Sequence, residues 1–227
     1  MTAQTTREFT SGPLYRLSQA VYAVLGPTAC FLVVCLPFAL AVEVTGSAVV
    51  IGLAGILIGP AWTALLYATR VVRADPDRGP VRSFWRGYRL NWRETLVVWA
   101  PYWVLLVAAC SDVVNPQAPL ALRAVVAVIA ALSALWVSAV LLIISRYAFR
   151  TRDAMRLGGY LLFGAPRSTL ANAALLVVAG AIVYEASELV LGLLAGLFAL
   201  FAVIGAKGAF ELLDAKFTVA GSGDGAH

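Results

Sequence analysis

Long apolar runs separated by short polar segments dominate the hydropathy pattern of this chain. An α-helix needs about 20 apolar residues to cross the hydrocarbon core of a bilayer. The run at 168–206 is too long for one crossing and contains the acidic turn YEASE, whose glutamates would be costly near mid-membrane. We therefore predict an all-α polytopic membrane protein with about six transmembrane helices, at 19–42, 48–69, 95–113, 121–145, 168–184 and 189–206.

Glycine and proline positions inside these runs predict how the helices bend and pack. In the second run, Gly59 and Pro60 predict a helix kink, since proline removes one backbone hydrogen bond and crowds the preceding turn. Two pairs of glycines have the four-residue spacing that lets helices approach closely, namely Gly55 with Gly59 and Gly192 with Gly196. This spacing predicts tight packing within the chain, with a dimer face as the alternative, so the oligomeric state stays open.

The placement of the charges predicts the orientation of the chain. The protein is 61% hydrophobic and 13% charged, with a net charge of +5, and soluble domains carry about twice that share of charged residues. Of the 17 Lys and Arg residues, all but Arg123 fall on one side of the six predicted spans. By the positive-inside rule, that side is cytoplasmic and holds both the N-terminal segment 1–18 and the tail 207–227. Topology thus accounts for the arginines, and nucleic acid is not expected as a partner.

The segment 81–93 combines arginines and aromatic residues at helical spacing. One face carries Val81, Phe84, Trp85, Tyr88 and Trp92, and the adjacent face carries Arg82, Arg86, Arg89 and Arg93. This pattern is typical of an amphipathic helix in the cytoplasmic interface, with rings at the headgroup boundary and guanidiniums on anionic phospholipid. Such a helix serves either as a membrane anchor or as a docking surface for a phosphorylated lipid or a cytoplasmic partner.

The second basic segment, 146–167, is a weaker version of the same pattern, and Gly158-Gly159 is expected to interrupt any helix there. The motifs RETL at 93–96 and RSTL at 167–170 lie 74 residues apart. At that offset each half has an inward helix, a basic amphipathic segment and a returning helix, as in transporters built from parallel repeats. Chance similarity between apolar segments is the alternative.

Few residues are candidates for chemistry. Glu185 and Glu188 lie one helical turn apart on the non-cytoplasmic side, either as solvated carboxylates or as a contact for a cation or a sugar hydroxyl. The three cysteines lie in apolar runs without a neighbouring His or acidic group, and the one histidine is the C-terminal His227. We therefore expect no metal site, no cofactor and no enzymatic activity.

Two motifs, IGPAWTALLYATRVV at 58–72 and SFWRGYRLNWRETL at 83–96, resemble the YesL-like family of small bacterial integral membrane proteins. The matching positions are Gly59, Pro60, Ala61 and Tyr67 in the first motif, and Phe84, Arg86, Asn91 and Arg93 in the second. Trp62 is bulkier than the family pattern in its row of small residues. The resemblance implies a bacterial plasma membrane protein of a family whose function is unknown, and it supplies no catalytic residues.

Members of that family are often encoded beside carbohydrate ABC transporters, which implies by association a helper in sugar uptake. The first functional hypothesis is therefore a non-enzymatic accessory component of a carbohydrate ABC transport system, with permease subunits as partners of segments 78–95 and 146–167. The alternative is a small autonomous transporter for a sugar or a lipid-linked group, with a path between the two half-repeats.

Overall fold

The computed structural model describes residues 13–45, 47–75, 77–114, 119–147, 151–185 and 188–214, which contain helices and no strand. The helices are α1 (Pro13–Thr45), α2 (Ala48–Gly55), α3 (Ile58–Ala74), α4 (Pro80–Val114), α5 (Leu120–Arg146), α6 (Thr151–Gly164), α7 (Pro166–Glu185), α8 (Glu188–Gly205) and α9 (Lys207–Leu213). The predicted all-α fold is confirmed.

Several of these helices are long and apolar enough to cross a membrane. Within the described residues these are Val21–Val44, Val49–Ala74, Leu120–Arg146 and Pro166–Glu185, with α8 and α9 forming a fifth candidate that is bent by 44°. Many large apolar side chains on these helices are exposed, as expected of surfaces that face lipid tails. The protein is therefore a polytopic membrane protein.

The predicted third span, 95–113, is part of α4, whose described portion is not among those candidates. Val97, Val104 and Leu105 on this part of α4 are nevertheless exposed, as in a lipid-facing helix. The side chains of residues 110–114 lie outside the described residues. A total of six spans therefore stays a prediction.

Helix α4 differs from expectation because its basic segment and its apolar segment form one helix of 35 residues. No glycine or proline separates the two parts between Asn91 and Thr95, so nothing ends the helix there. The apolar part runs antiparallel to α3, and the hydroxyl of Thr95 donates to that of Thr63 at 3.2 Å. Gly87 of the basic segment packs on Tyr67, and a Cβ on Gly87 would lie 2.9 Å from the Cβ atom of Tyr67. The two helices therefore stay in close contact as far as Gly87 in the basic segment.

The helix of the second apolar run is interrupted where α2 meets α3. The amides of Ile56 and Leu57 donate to carbonyls three residues back, at 3.3 Å each, which tightens the chain into a 3₁₀-like turn. Pro60 explains the position of this break, because a proline has no N–H to offer the carbonyl four residues earlier, which belongs to Ile56. Gly59 and Pro60 themselves are buried in the first turn of α3, where a proline is tolerated.

Both glycine pairs are used for packing within the chain. A Cβ at Gly55 or Gly59 would lie 2.2 Å from Trp103 or Trp99 of α4, and one at Gly196 would lie 2.0 Å from the hydroxyl of Thr28 on α1. These faces are covered by neighbouring helices of the same chain, so they are not free to form a dimer face.

The expected interruption at Gly158-Gly159 is wrong, because α6 is helical from Thr151 to Gly164. Gly158 lets α6 approach α5, since a Cβ there would lie 2.5 Å from Val140. The indole N–H of Trp136 also donates to the carbonyl of Met155 at 3.2 Å. Packing against α5 thus compensates for the low helix propensity of two glycines.

The two halves of the chain share contacts at similar positions. Gly87 packs on Tyr67 in the first half, and Gly158 packs on Val140 in the second. A polar side-chain pair also joins two helices in each half, Thr63 of α3 with Thr95 of α4 and Ser138 of α5 with Asn172 of α7. The residues concerned lie 71 to 77 residues apart and not at a constant offset of 74, so the internal repeat stays a prediction with chance similarity as its alternative.

Candidate functional site

A large cavity lies between the two halves of the bundle. Its volume is about 730 Å³, and side chains of α1, α3, α4, α5, α7 and α8 line it. Along α1 the lining extends from Phe31 to Glu43, which is about 18 Å at the helical rise of 1.5 Å per residue. One leaflet of the hydrocarbon core is about 15 Å thick. The cavity is therefore about as deep as one leaflet.

Tryptophans of α4 form one wall of this cavity. The indole N–H groups of Trp99 and Trp103 donate to the carbonyls of Gly55 and Gly52, at 3.1 and 2.8 Å. The two rings also stack on each other, with centroids 5.6 Å apart. The tight turn after α2 directs the amide of Ile56 to Leu53, so the Gly52 carbonyl can accept from Trp103. This wall is therefore held by specific hydrogen bonds as well as by packing.

Few polar groups face the cavity. Toward the end that is away from Glu43, the side-chain amide of Asn172 donates to the hydroxyl of Ser138 at 2.5 Å. Glu43 is exposed and is the charged residue among the described lining residues. Most of the wall is aliphatic or aromatic, so a ligand with many hydroxyl groups would lose its hydrogen bonds with water on entering. A hydrocarbon chain makes no hydrogen bonds with water and would lose none on entering.

A second cluster lies at the end of the bundle where α3 and α5 end, which we call the basic end. Arg146 forms an ion pair with Asp214 at 2.6 Å, just after α9, and its guanidinium lies 4.5 Å from the ring centre of Phe210. The hydroxyl of Tyr147 donates to the same carboxylate. Burial, followed by this hydrogen bond, raises the pKa of Tyr147 to about 12, although the charges of Arg146 and Arg70 act in the opposite direction.

The basic segment of α4 matches the predicted pattern on its exposed side. Arg82, Arg86, Arg89 and Arg93 are all exposed, and Trp85 and Trp92 are each 42% exposed. The guanidinium of Arg93 lies 5.3 Å from the ring centre of Trp92. These side chains are accessible, and their contact with headgroups or a partner stays a prediction.

Phe84 does not belong to that exposed surface. It is fully buried in the hydrophobic core, so its expected place at the headgroup boundary is wrong. Tyr88, one turn along, is partly buried against the same core. The physical reason is that α4 packs on α3 along this face, close to the contact between Gly87 and Tyr67.

The remaining candidates are the two glutamates at the end of α7 and the start of α8, the family-matching Asn91 and possible metal ligands. Glu185 is exposed at the last residue of α7, and the side chain of Glu188 lies outside the described residues, so the expected pairing of the two stays a prediction. Asn91 lies on the face of α4 that meets α3, one turn from Gly87. Its side-chain N–H₂ is buried without a hydrogen-bond partner among the described residues. No group of three or more metal-ligating side chains occurs in the part of the chain that the structure describes.

Comparison with known proteins finds a family similarity within the first half of the chain. Residues 28–113 match the family described as "Protein of unknown function, DUF624". The match extends from the middle of α1 almost to the end of α4 and therefore includes the tryptophan wall of the cavity. No curated protein and no solved structure matches the chain.

Proposed function

We propose that the protein is a non-enzymatic membrane protein that holds the apolar tail of a lipid-linked group between its two halves, as a small transporter for such a group. The observation that carries the proposal is the open cavity of about 730 Å³ that residues of both halves line. Its volume lies in the range of small-molecule sites. Its depth fits a hydrocarbon chain, and its apolar wall favours a lipid-linked group over a free sugar.

Substitutions that fill the cavity test this proposal. Ala134 and Ala179 line the cavity on α5 and α7, so Ala134→Phe and Ala179→Phe should obstruct it. The matched control is Ala174→Phe, because Ala174 is an exposed residue of α7 that does not line the cavity. The probe is a phospholipid with brominated acyl chains, added to the purified protein in detergent, since bromine quenches nearby tryptophans.

Three tryptophans, Trp62, Trp99 and Trp103, line the cavity and report its occupation. We expect saturable quenching in the wild type and in the control variant, and at least a tenfold weaker apparent affinity in the two filled variants. Quenching that rises in proportion to the lipid in all four proteins would contradict the proposal, because it would reflect only the annular lipid around exposed tryptophans.

A second candidate function rests on the exposed row Arg82, Arg86 and Arg89. We propose it as a docking surface for a partner such as a permease subunit of a carbohydrate ABC transporter, in line with the resemblance to the YesL-like family. This role is supported by the exposure of the three arginine side chains and of the neighbouring Trp85 and Trp92. Arginine and aromatic side chains are enriched in the energetically important parts of protein interfaces.

A pull-down from native membranes with mass spectrometry tests the docking role. The wild type should retain permease subunits, and the triple change of Arg82, Arg86 and Arg89 to alanine should lose them. The triple change to lysine is the matched control, because it keeps the charge and removes the planar fork of the guanidinium. Loss in both triple variants indicates specific docking. Recovery of the same proteins from all three samples would exclude this surface as the docking site.

A further inference from the structure

The basic end contains one guanidinium that is much less well partnered than its neighbour. Arg146 has the carboxylate of Asp214 at 2.6 Å and the rings of Phe210 and Tyr147 at 4.5 and 5.3 Å. Arg70 lies over the ring of Tyr67, 5.5 Å from its centre. Its Nη1 atom is buried and has no hydrogen-bond partner among the described residues. A buried N–H donor normally has a partner, and the exceptions call for an explanation.

The charges around this donor are not balanced. Arg146 is close enough to Arg70 to act on it electrostatically. The charged groups that act on Tyr147 are Arg146, Asp214 and Arg70, and Asp214 is the one carboxylate among them. Among the described residues, two guanidiniums from different helices therefore act on the region around Tyr147 with the carboxylate of Asp214 as the counter-charge, and Arg146 and the hydroxyl of Tyr147 already bind that carboxylate.

We propose that Arg70 and Arg146 bind a phosphate group at the basic end. A phosphate has several acceptor oxygens, so it would satisfy Nη1 of Arg70 while sharing Arg146 with Asp214. Guanidinium forks match phosphate oxygens in geometry and form stronger bonds to them than neutral donors do. The ligand can approach through the side chains of Arg146 and Asp214, which are 32% and 42% exposed.

The phosphate has two possible sources with the same chemistry. It is carried either by the headgroup of a phospholipid in the adjacent leaflet or by a soluble phosphorylated molecule. The site depends on α3, α5 and the residues after α9, and none of Arg70, Arg146 and Asp214 lines the cavity. The inference therefore stands whether or not the cavity binds a lipid tail.

Thermal unfolding of the full-length protein in a neutral detergent tests the site. A ligand that binds the folded state raises Tm in a saturable way. One arm adds inorganic phosphate at constant ionic strength, and the other adds phosphatidylglycerol in mixed micelles, with phosphatidylcholine as the lipid control. Saturation with inorganic phosphate identifies a soluble ligand, and saturation with phosphatidylglycerol alone identifies a headgroup.

Variants connect the response to Arg70. Arg70→Gln should weaken the apparent affinity at least tenfold, while Arg73→Gln, at an exposed position three residues later on α3, should behave as the wild type. Asp214→Asn should strengthen binding several-fold, because it removes the competing carboxylate. If Arg70→Gln does not fold, Arg70→Lys gives the same comparison, since it keeps the charge without the fork. Equal affinity in wild type and Arg70 variants, or no response to either ligand, would overturn the inference.

Discussion

Replacing Phe84 with alanine is expected to lower the free energy of unfolding by about 3–5 kcal/mol. The ring is fully buried, and it packs edge-on against Trp85 at 5.7 Å and roughly parallel to Tyr88 at 6.5 Å. Its removal leaves a cavity where α4 meets the core. For a protein of this size, the change corresponds to a fall in Tm of roughly 6–20 °C, measured by thermal unfolding of the purified protein in detergent.

The matched control for Phe84 is its neighbour Trp85, which is larger but 42% exposed. Trp85→Ala should change Tm much less and should instead weaken binding to anionic vesicles, because an exposed interfacial ring contacts lipid rather than the core. If the two variants destabilised the protein equally, the basic segment would lie on the membrane surface as a whole and would not be anchored in the bundle through Phe84.

Replacing Gly59 with alanine is expected to cost about 3 kcal/mol, at the upper end of the usual cost of overpacking. The added Cβ would lie 2.2 Å from Cγ of Trp99. Trp99 cannot easily move away, because its N–H donates to Gly55 and its ring stacks on Trp103. Since Trp99 is part of the cavity wall, the same substitution should also weaken quenching by brominated lipid.

Gly52→Ala is the matched control for Gly59, because a Cβ at Gly52 would have no atom within 4 Å. It should leave both Tm and quenching close to those of the wild type, or raise Tm slightly through its higher helix propensity. If the Gly59→Ala and Gly52→Ala variants had the same Tm, α3 and α4 would be able to separate at low cost. The tryptophan wall would then not be held in a fixed position against α3.

The helical membrane fold could be predicted because it depends on local properties of the sequence, namely apolar length and the positions of charges. Helix joints were harder to predict. The continuity of α4 and the helix through Gly158-Gly159 depend on packing against α3 and α5, and that packing is a tertiary property. The amphipathic pattern correctly identified the exposed arginines, but hydrophobic spacing alone could not show whether a ring such as Phe84 faces lipid or a second helix.

The candidate sites were less predictable for a related reason. Arg146 and Asp214 are 68 residues apart, and Asp214 lies in the segment 207–227 that was predicted to be a tail beyond the last span. The cavity consists of the space between six helices, and no short motif encodes such a space.

The length of helix α7 makes the width of the cavity depend on the thickness of the surrounding bilayer. It has 20 residues and none of them is buried, whereas α5 has 27 residues with a buried row near its end. At 1.5 Å per residue, α7 is about 30 Å long and α5 about 40 Å, so α7 only just spans an average hydrocarbon core. A thicker membrane would leave α7 too short before any other described span, and hydrophobic mismatch is relieved by tilting, local thinning of the bilayer or movement of the helix. Since α7 forms a wall of the cavity and none of its residues is buried, bilayer thickness would adjust the width of the space between the two halves.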